Sequence, residues 1–170
     1  QGVDDSVGKV LDYLERTGLA KSTVVFYSAD NGWYLGDLGL YDKRFMYEPG
    51  LRVPLVARGP GVEAGITPDS FVANIDLAPT FLDLAGLPIP ASMQGRSLVP
   101  LLRGQSPADW RTSVYYRYYH DPGHHNTAAH FGVRTATAAK ALGITATGVV
   151  VESPDGTREI PADTVVMAAG

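Results

Sequence analysis

Cysteine is missing altogether from this chain of 170 residues. Disulfides are thereby excluded, and so is any reaction begun at a thiol of this polypeptide. Net positive charge is missing too: 14 Lys and Arg against 18 Asp and Glu leave a formal charge of −4, and the cations form no cluster. A chain of this kind lacks the electrostatic footprint of a nucleic-acid binder. No apolar run approaches the ~20 residues that a membrane-crossing helix needs. Gln1 leads directly into a helix-like segment with no signal-peptide pattern. A Gly-x-Gly-x-x-Gly phosphate loop is absent, which leaves nucleotide binding unsupported.

What is present is an ordinary globular composition, 45% hydrophobic and 19% charged, sized for one domain or a little more. Val3, Val7, Val10, Leu11 and Leu14 recur at helical spacing, with Asp4, Asp5, Lys9, Asp12 and Glu15 on the other face and Gly18 placed to end the helix. Asp4 and Asp5 suit a solvated first turn near the positive end of the helix dipole and are rejected as metal ligands. The apolar run at 23–29 predicts a buried strand, and 53–57 predicts a second one. Between them, 32–50 is long for a structureless loop, which points to function. Residues 74–86 predict a second helix, capped by Asn74 or Asp76 and stopped by Gly86, whose Leu77, Phe81, Leu84 and Ala85 form a packing stripe. A short helix is expected near 97–102. Tyr115, Tyr116, Tyr118 and Tyr119 then fit either a strand or the wall of a sugar pocket.

Asp30-Asn31-Gly32 stands at the end of the first strand. The carboxyl ends of strands are where α/β proteins place their chemistry. An adjacent carboxylate and amide are hard oxygen donors suited to Ca²⁺ or Mg²⁺. An Asx turn is the plain structural alternative. Lys43 follows in Asp42-Lys43-Arg44-Phe45-Met46-Tyr47-Glu48 and, taken alone, is an ordinary solvated loop cation.

Together, Asp30-Asn31-Gly32, the Gly-rich run 36–39, Lys43 ahead of Tyr47-Glu48, and Arg52-Val53-Pro54-Leu55 resemble the later part of a sulfatase catalytic domain. Asn74-Ile75-Asp76-Leu77-Ala78-Pro79-Thr80, Met93-Gln94-Gly95-Arg96-Ser97-Leu98 and His130-Phe131-Gly132-Val133-Arg134-Thr135 extend the resemblance in the same order. It implies an α/β fold, an incomplete alkaline-phosphatase-like (sulfatase) sandwich with a carboxyl-terminal β-hairpin tail. It also implies a hydrolase of O- or N-sulfate esters acting on a sulfated small molecule or sugar, with no nucleic-acid or membrane partner and a periplasmic or secreted location. By the same resemblance Asp30 and Asn31 match metal ligands for Ca²⁺, with Mg²⁺ as the substitute, and Lys43 matches the catalytic cation that contacts the sulfate. His125 and His130 match substrate-binding residues, although the four His at 120, 124, 125 and 130 also fit a polar loop and suit no structural zinc pattern.

The family's formylglycine arises from a Cys/Ser-x-Pro-x-Arg motif, which is absent here: Ser106-Pro107-Ala108-Asp109-Trp110-Arg111 has the wrong spacing. The nucleophile is therefore expected in a missing amino-terminal part, along with the remaining metal aspartates, and this chain alone is expected to be inactive. A phosphatase or phosphonate hydrolase of the same superfold would need Asp-His arrays for a two-metal site, and these are lacking. A non-catalytic module that binds a sulfated ligand is the alternative from another class. Leu38 stands where relatives commonly carry His, so leaving-group assistance from that position is in doubt, because leucine transfers no proton.

After Thr135 the pattern changes. Gly148-Val149-Val150-Val151-Glu152 and the segment Arg158 to Gly170 flank the turn 153–157, which is a hairpin signal. The ending 160–170 resembles a segment of flavin- and nicotinamide-dependent oxidoreductases. The expected division is therefore 1–135, a partial sulfatase catalytic domain, and 136–170, a β-rich tail of separate origin or an unusual subdomain. Strands at 149–169 without neighbours would present aggregation-prone edges.

Overall fold

A computed structural model describes residues 1–122, 126–135, 140–144, 148–153 and 156–161, the last three segments by their strands. The chain forms two compact units: Gln1–Asp30 with Val53–Pro68 and Asn74–Pro107, and Asn31–Arg52 with Asp69–Ala73 and Ala108–Gly170.

The first unit opens with α1 (Gly2–Arg16), as the apolar spacing predicts. Asp4 and Asp5 lie in its first turn, Thr17 closes it by donating its hydroxyl to the Tyr13 carbonyl (2.8 Å), and Gly18 leaves it at φ +75°. No residue of α1 is buried, so its apolar stripe finds no full cover among the described residues. Glu15 and Arg58 tie this helix to the sheet at 2.9 Å.

That sheet pairs β1 (Val25–Ser28) antiparallel with β4 (Leu55–Arg58), Phe26 opposite Ala57. Both strands are shorter than the sequence predicts, and neither is buried as expected. The reason is visible in the pairing: among the described residues each strand has one neighbour, and Phe26 is covered on one side by Phe81, edge to face at 5.3 Å. Phe81 itself stays 50% exposed. Gly59, at φ +142°, permits the crossing, because a Cβ there would lie 2.7 Å from Val24 Cα.

The core of this unit lies where α3 (Leu77–Leu84) meets α4 (Val99–Leu102), around Pro79, Leu98, Val99 and Leu101. Asp76 and Thr80 are fully buried there and fully used. The Asp76 carboxylate accepts the Arg96 N–H at 2.8 Å, while the Thr80 hydroxyl donates to the Asp76 carbonyl (2.5 Å) and accepts the Leu98 N–H (2.8 Å). These bonds dock the 95–98 segment onto the helix. They also correct the capping expectation: neither Asn74 nor Asp76 caps α3 with its side chain, because both side chains bind backbone far along the chain. Gly86 ends the helix at φ +68°, as expected.

In the second unit the long 32–50 segment is structured rather than loose. It holds the hairpin β2 (Tyr34–Leu35) and β3 (Tyr41–Asp42) and the turn α2 (Glu48–Leu51). Leu38 sits at the hairpin tip, exposed and in left-handed backbone at φ +55°. The tyrosine-rich segment is a strand, β5 (Ser113–Tyr118), antiparallel to β6 (His130–Thr135) with Tyr116 opposite Gly132. Met46 packs on Gly132, where a side chain would overlap its sulfur. The tail forms β7 (Lys140–Ile144), β8 (Gly148–Ser153) and β9 (Gly156–Pro161), with β8 and β9 the hairpin the sequence predicts.

Candidate functional site

The end of β1 is held from within its own unit. Asn74 donates through Nδ2 to the carbonyls of Ala29 (3.2 Å) and Asp30 (2.9 Å), so the strand terminus is fixed where the exposed Asp30 carboxylate leaves it. Asp30 ends the first segment of the first unit, and Asn31 begins the second unit.

Gly32 follows because nothing larger fits. Its N–H donates to the Gly50 carbonyl at 3.0 Å, and a Cβ would overlap the carbonyl oxygen of Pro49. This close approach orients Asn31, whose Nδ2 donates to the Gly32 carbonyl at 2.6 Å, so Oδ1 is the outward acceptor. Lys43 Nζ donates to that oxygen at 3.0 Å and lies 5.7 Å from the centroid of the Trp33 ring. The sequence-predicted Asn31 and Lys43, on either side of the β2–β3 hairpin, are thus brought together.

The backbone around Lys43 is pinned by tyrosines. Tyr34, wholly buried, donates its hydroxyl toward the carbonyls of Phe45 (2.8 Å) and Tyr47 (3.2 Å) and accepts the Tyr47 N–H (3.0 Å). Tyr116 donates to the Arg44 carbonyl at 2.7 Å. Asp42, buried and at φ +93°, pairs with Arg44, and Glu48 pairs with Arg52 and Arg134. A non-glycine residue in left-handed backbone beside Lys43 is retained strain of about 1–3 kcal/mol, the kind that clusters where a side chain must be aimed.

Burial pushes the phenols of Tyr34 and Tyr116 above the ordinary value of 10.0. Above about pH 10 the unfolded chain releases these protons while the folded chain keeps them, so folding stability is full below that pH and falls as pH rises through the folded values. Urea midpoints are expected to hold steady from pH 7 to about 9 and then decline, more gently in Tyr116→Phe. An equal decline in that variant would remove Tyr116 as a cause.

His130 is placed differently from Lys43. Its ring stacks on Phe45 (5.6 Å, 22°) and Tyr118 (5.5 Å, 30°), and Nδ1 lies 2.9 Å from the Ala128 carbonyl. If Nδ1 donates there, the lone pair is on Nε2, which is enclosed and has no hydrogen-bond partner among the described residues. His125 lies outside the described residues.

By donor type, the Asp30 carboxylate and the Asn31 amide oxygen are hard ligands of the kind Ca²⁺ accepts, and the Asn31 oxygen already accepts from the Lys43 ammonium. Calcium takes about 6–8 oxygens, so two donors make a fraction of its shell. Among the described residues no cluster of three His, Cys, Asp or Glu could hold a metal on its own. Sequence reasoning missed Trp33 and Tyr34, and it read Asn74 as a helix cap. The signal available was the aromatic pair directly after Asp30-Asn31-Gly32.

A family described as N-sulphoglucosamine sulphohydrolase, C-terminal, matches residues 36–140. The chain belongs to this sulfatase family. It is 46% identical over 136 residues to the N-acetylglucosamine-6-O-sulfatase of Bacteroides thetaiotaomicron, covering 78% of this chain and 24% of that protein. With the human N-acetylglucosamine-6-sulfatase it shares 47% identity over 118 residues, which is 68% of this chain and 21% of the relative. A solved structure of a protein in complex with its substrate D-glucosamine-2-N,6-O-disulfate superposes with a TM-score of 0.76 at 45% identity, covering 79% of this chain and 28% of that one. The fold is thus that of the sulfatases, with small sheets, and the chain spans about a quarter of the length of the relatives it matches. The oxidoreductase resemblance of the tail finds no support here, and the sulfatase match itself runs past residue 135 to residue 140.

Proposed function

We propose that this chain forms the carboxyl-terminal share of a sulfatase active site that removes sulfate from a glucosamine-type sugar, with the 6-O-sulfate of N-acetylglucosamine as the favoured ester. The observation that carries this reading is the 3.0 Å contact of Lys43 Nζ with Asn31 Oδ1, immediately after Asp30. It gathers an anion-binding cation and a hard oxygen donor in a chain 46% identical to an N-acetylglucosamine-6-O-sulfatase.

In this proposal Asp30 and Asn31 would each contribute an oxygen toward the shell of a Ca²⁺ ion, whose chemistry would be to offset negative charge on the sulfate. Lys43 points its ammonium at the same sulfate and is stronger toward the more highly charged transition state than toward the ground state. Tyr34 and Tyr116 keep the Lys43 backbone in place. The residues of this chain furnish no formylglycine precursor, and the nucleophile is proposed to come from a preceding portion. His130 and His125 are proposed as substrate contacts from the sequence resemblance alone.

The test pairs two proteins. The 170-residue chain alone is expected to release no sulfate from N-acetylglucosamine-6-sulfate. Placed in the Bacteroides relative in exchange for the segment it matches, it is expected to sustain turnover, and Asp30→Ala there is expected to abolish calorimetric Ca²⁺ binding. Sulfate release by the chain alone would overturn the division of labour. Binding of the sulfated sugar by a folded but inactive joined protein would favour the second reading, a binding module, which the missing nucleophile motif supports.

A further inference from the structure

Trp33 has no role in the reading above, yet it is the residue that Lys43 lies over. Its ring is 49% exposed, and its indole N–H has no hydrogen-bond partner among the described residues. The other tryptophan is employed differently: Trp110 donates its indole N–H to the Phe71 carbonyl at 2.9 Å and is half-buried. Both rings lie under a cation, Trp110 under Arg111 at 5.9 Å and Trp33 under Lys43, but Trp110 is half-buried with its N–H bonded, whereas Trp33 is the more open surface and its cation is tethered to Asn31.

The Lys43 ammonium is held at two points, 3.0 Å from Asn31 Oδ1 and 5.7 Å from the Trp33 centroid. Any anion paired with it is held within about a ring's width of the indole. An indole face carries negative quadrupole charge, which attracts the ammonium and, more weakly, polarised C–H groups. A pyranose shows such C–H groups on its flat face, and a sulfate on its exocyclic carbon extends beyond the ring edge. The exposed Leu35, Leu38 and Tyr41 of the neighbouring hairpin offer apolar area, but none is bonded to a cation.

We propose that Trp33 is the platform on which the sugar ring of the sulfated substrate stacks while Lys43 holds the sulfate beside it. This inference rests on the sulfatase reading. It makes Trp33 a specificity residue: the ring selects a sugar, and the lysine selects the anion.

The experiment titrates the 170-residue chain, in the presence of Ca²⁺, with N-acetylglucosamine-6-sulfate, N-acetylglucosamine and inorganic sulfate. The two tryptophans give two indole N–H resonances, assigned by Trp33→Phe. The Trp33 signal is expected to move with the sulfated sugar and far less with inorganic sulfate. Trp33→Ala is expected to weaken the sulfated sugar about tenfold, inorganic sulfate less than twofold, and Trp33→Phe is expected to keep most of the affinity. Sulfated-sugar affinity within twofold of wild type in a folded Trp33→Ala chain would overturn the platform and leave the sulfatase reading standing. Equal losses for sulfate and sulfated sugar would also overturn it, since Trp33 would then only position Lys43. Absence of binding of both N-acetylglucosamine-6-sulfate and inorganic sulfate by the unaltered chain would overturn the platform, while turnover by the joined protein tests the sulfatase reading separately.

Discussion

Lys43→Ala in the joined sulfatase is expected to lower kcat/KM for N-acetylglucosamine-6-sulfate by about 10²–10³-fold, the cost of removing one preorganised charge partner from a transition state. The loss should fall mainly on kcat, because the ester gains negative charge as it reacts. Thermal stability should hardly change: Lys43 is exposed, its bond to Asn31 is a surface contact, and exposed contacts of this sort are worth about 0–1 kcal/mol. Lys43→Arg should recover part of the rate, since it keeps the charge but replaces a compact ammonium with a planar fork. Steady-state kinetics with calorimetric Tm control checks all of this. Near-normal turnover in Lys43→Ala would remove the residue from the reaction.

The second large effect concerns stability. Tyr34→Ala is expected to cost about 3–5 kcal/mol, in the range of buried aromatic truncations. Tyr34 is wholly buried and its hydroxyl serves Phe45 and Tyr47, so the variant leaves both a cavity and backbone groups without partners. Gly50 packs so closely that a Cβ there would stand 2.8 Å from the Tyr34 ring, which leaves little slack for collapse into the space. Tyr34→Phe separates the two contributions: it keeps the ring and should cost about 1–3 kcal/mol for the unpaired groups. Urea unfolding measures both, and an unchanged midpoint in Tyr34→Ala would show that the 43–47 segment is held by something else.

Some elements were legible because their cause is local. The spacing of Val3, Val7, Val10 and Leu14 produces α1 without help from other segments, and Gly86 marks a helix end wherever the helix lies. The hairpin of β8 and β9 follows from its own turn. Burial was less legible because it depends on neighbours: the apolar 23–29 run reads as a covered strand, but its cover is a matter of what packs on it. Asn74 shows the same limit. An Asn before a helix suits a cap, and only the folded chain reveals that its amide is taken by the carbonyls of Ala29 and Asp30.

At the candidate site, residue types were readable and placement was not. Asp30, Asn31 and Lys43 stand out in the sequence through motif and order, and their proposed roles rest on the chemistry of a carboxylate, an amide and an ammonium. The sequence by itself determined the family, the donor types available and the lack of a thiol or formylglycine precursor. Tertiary structure alone decided that Lys43 turns onto Asn31 and over Trp33, and that Tyr34 and Tyr116 brace its backbone. The reason is that side-chain chemistry is written residue by residue, whereas direction arises from close packing between segments distant along the chain, such as Gly32 against Pro49 and Gly50.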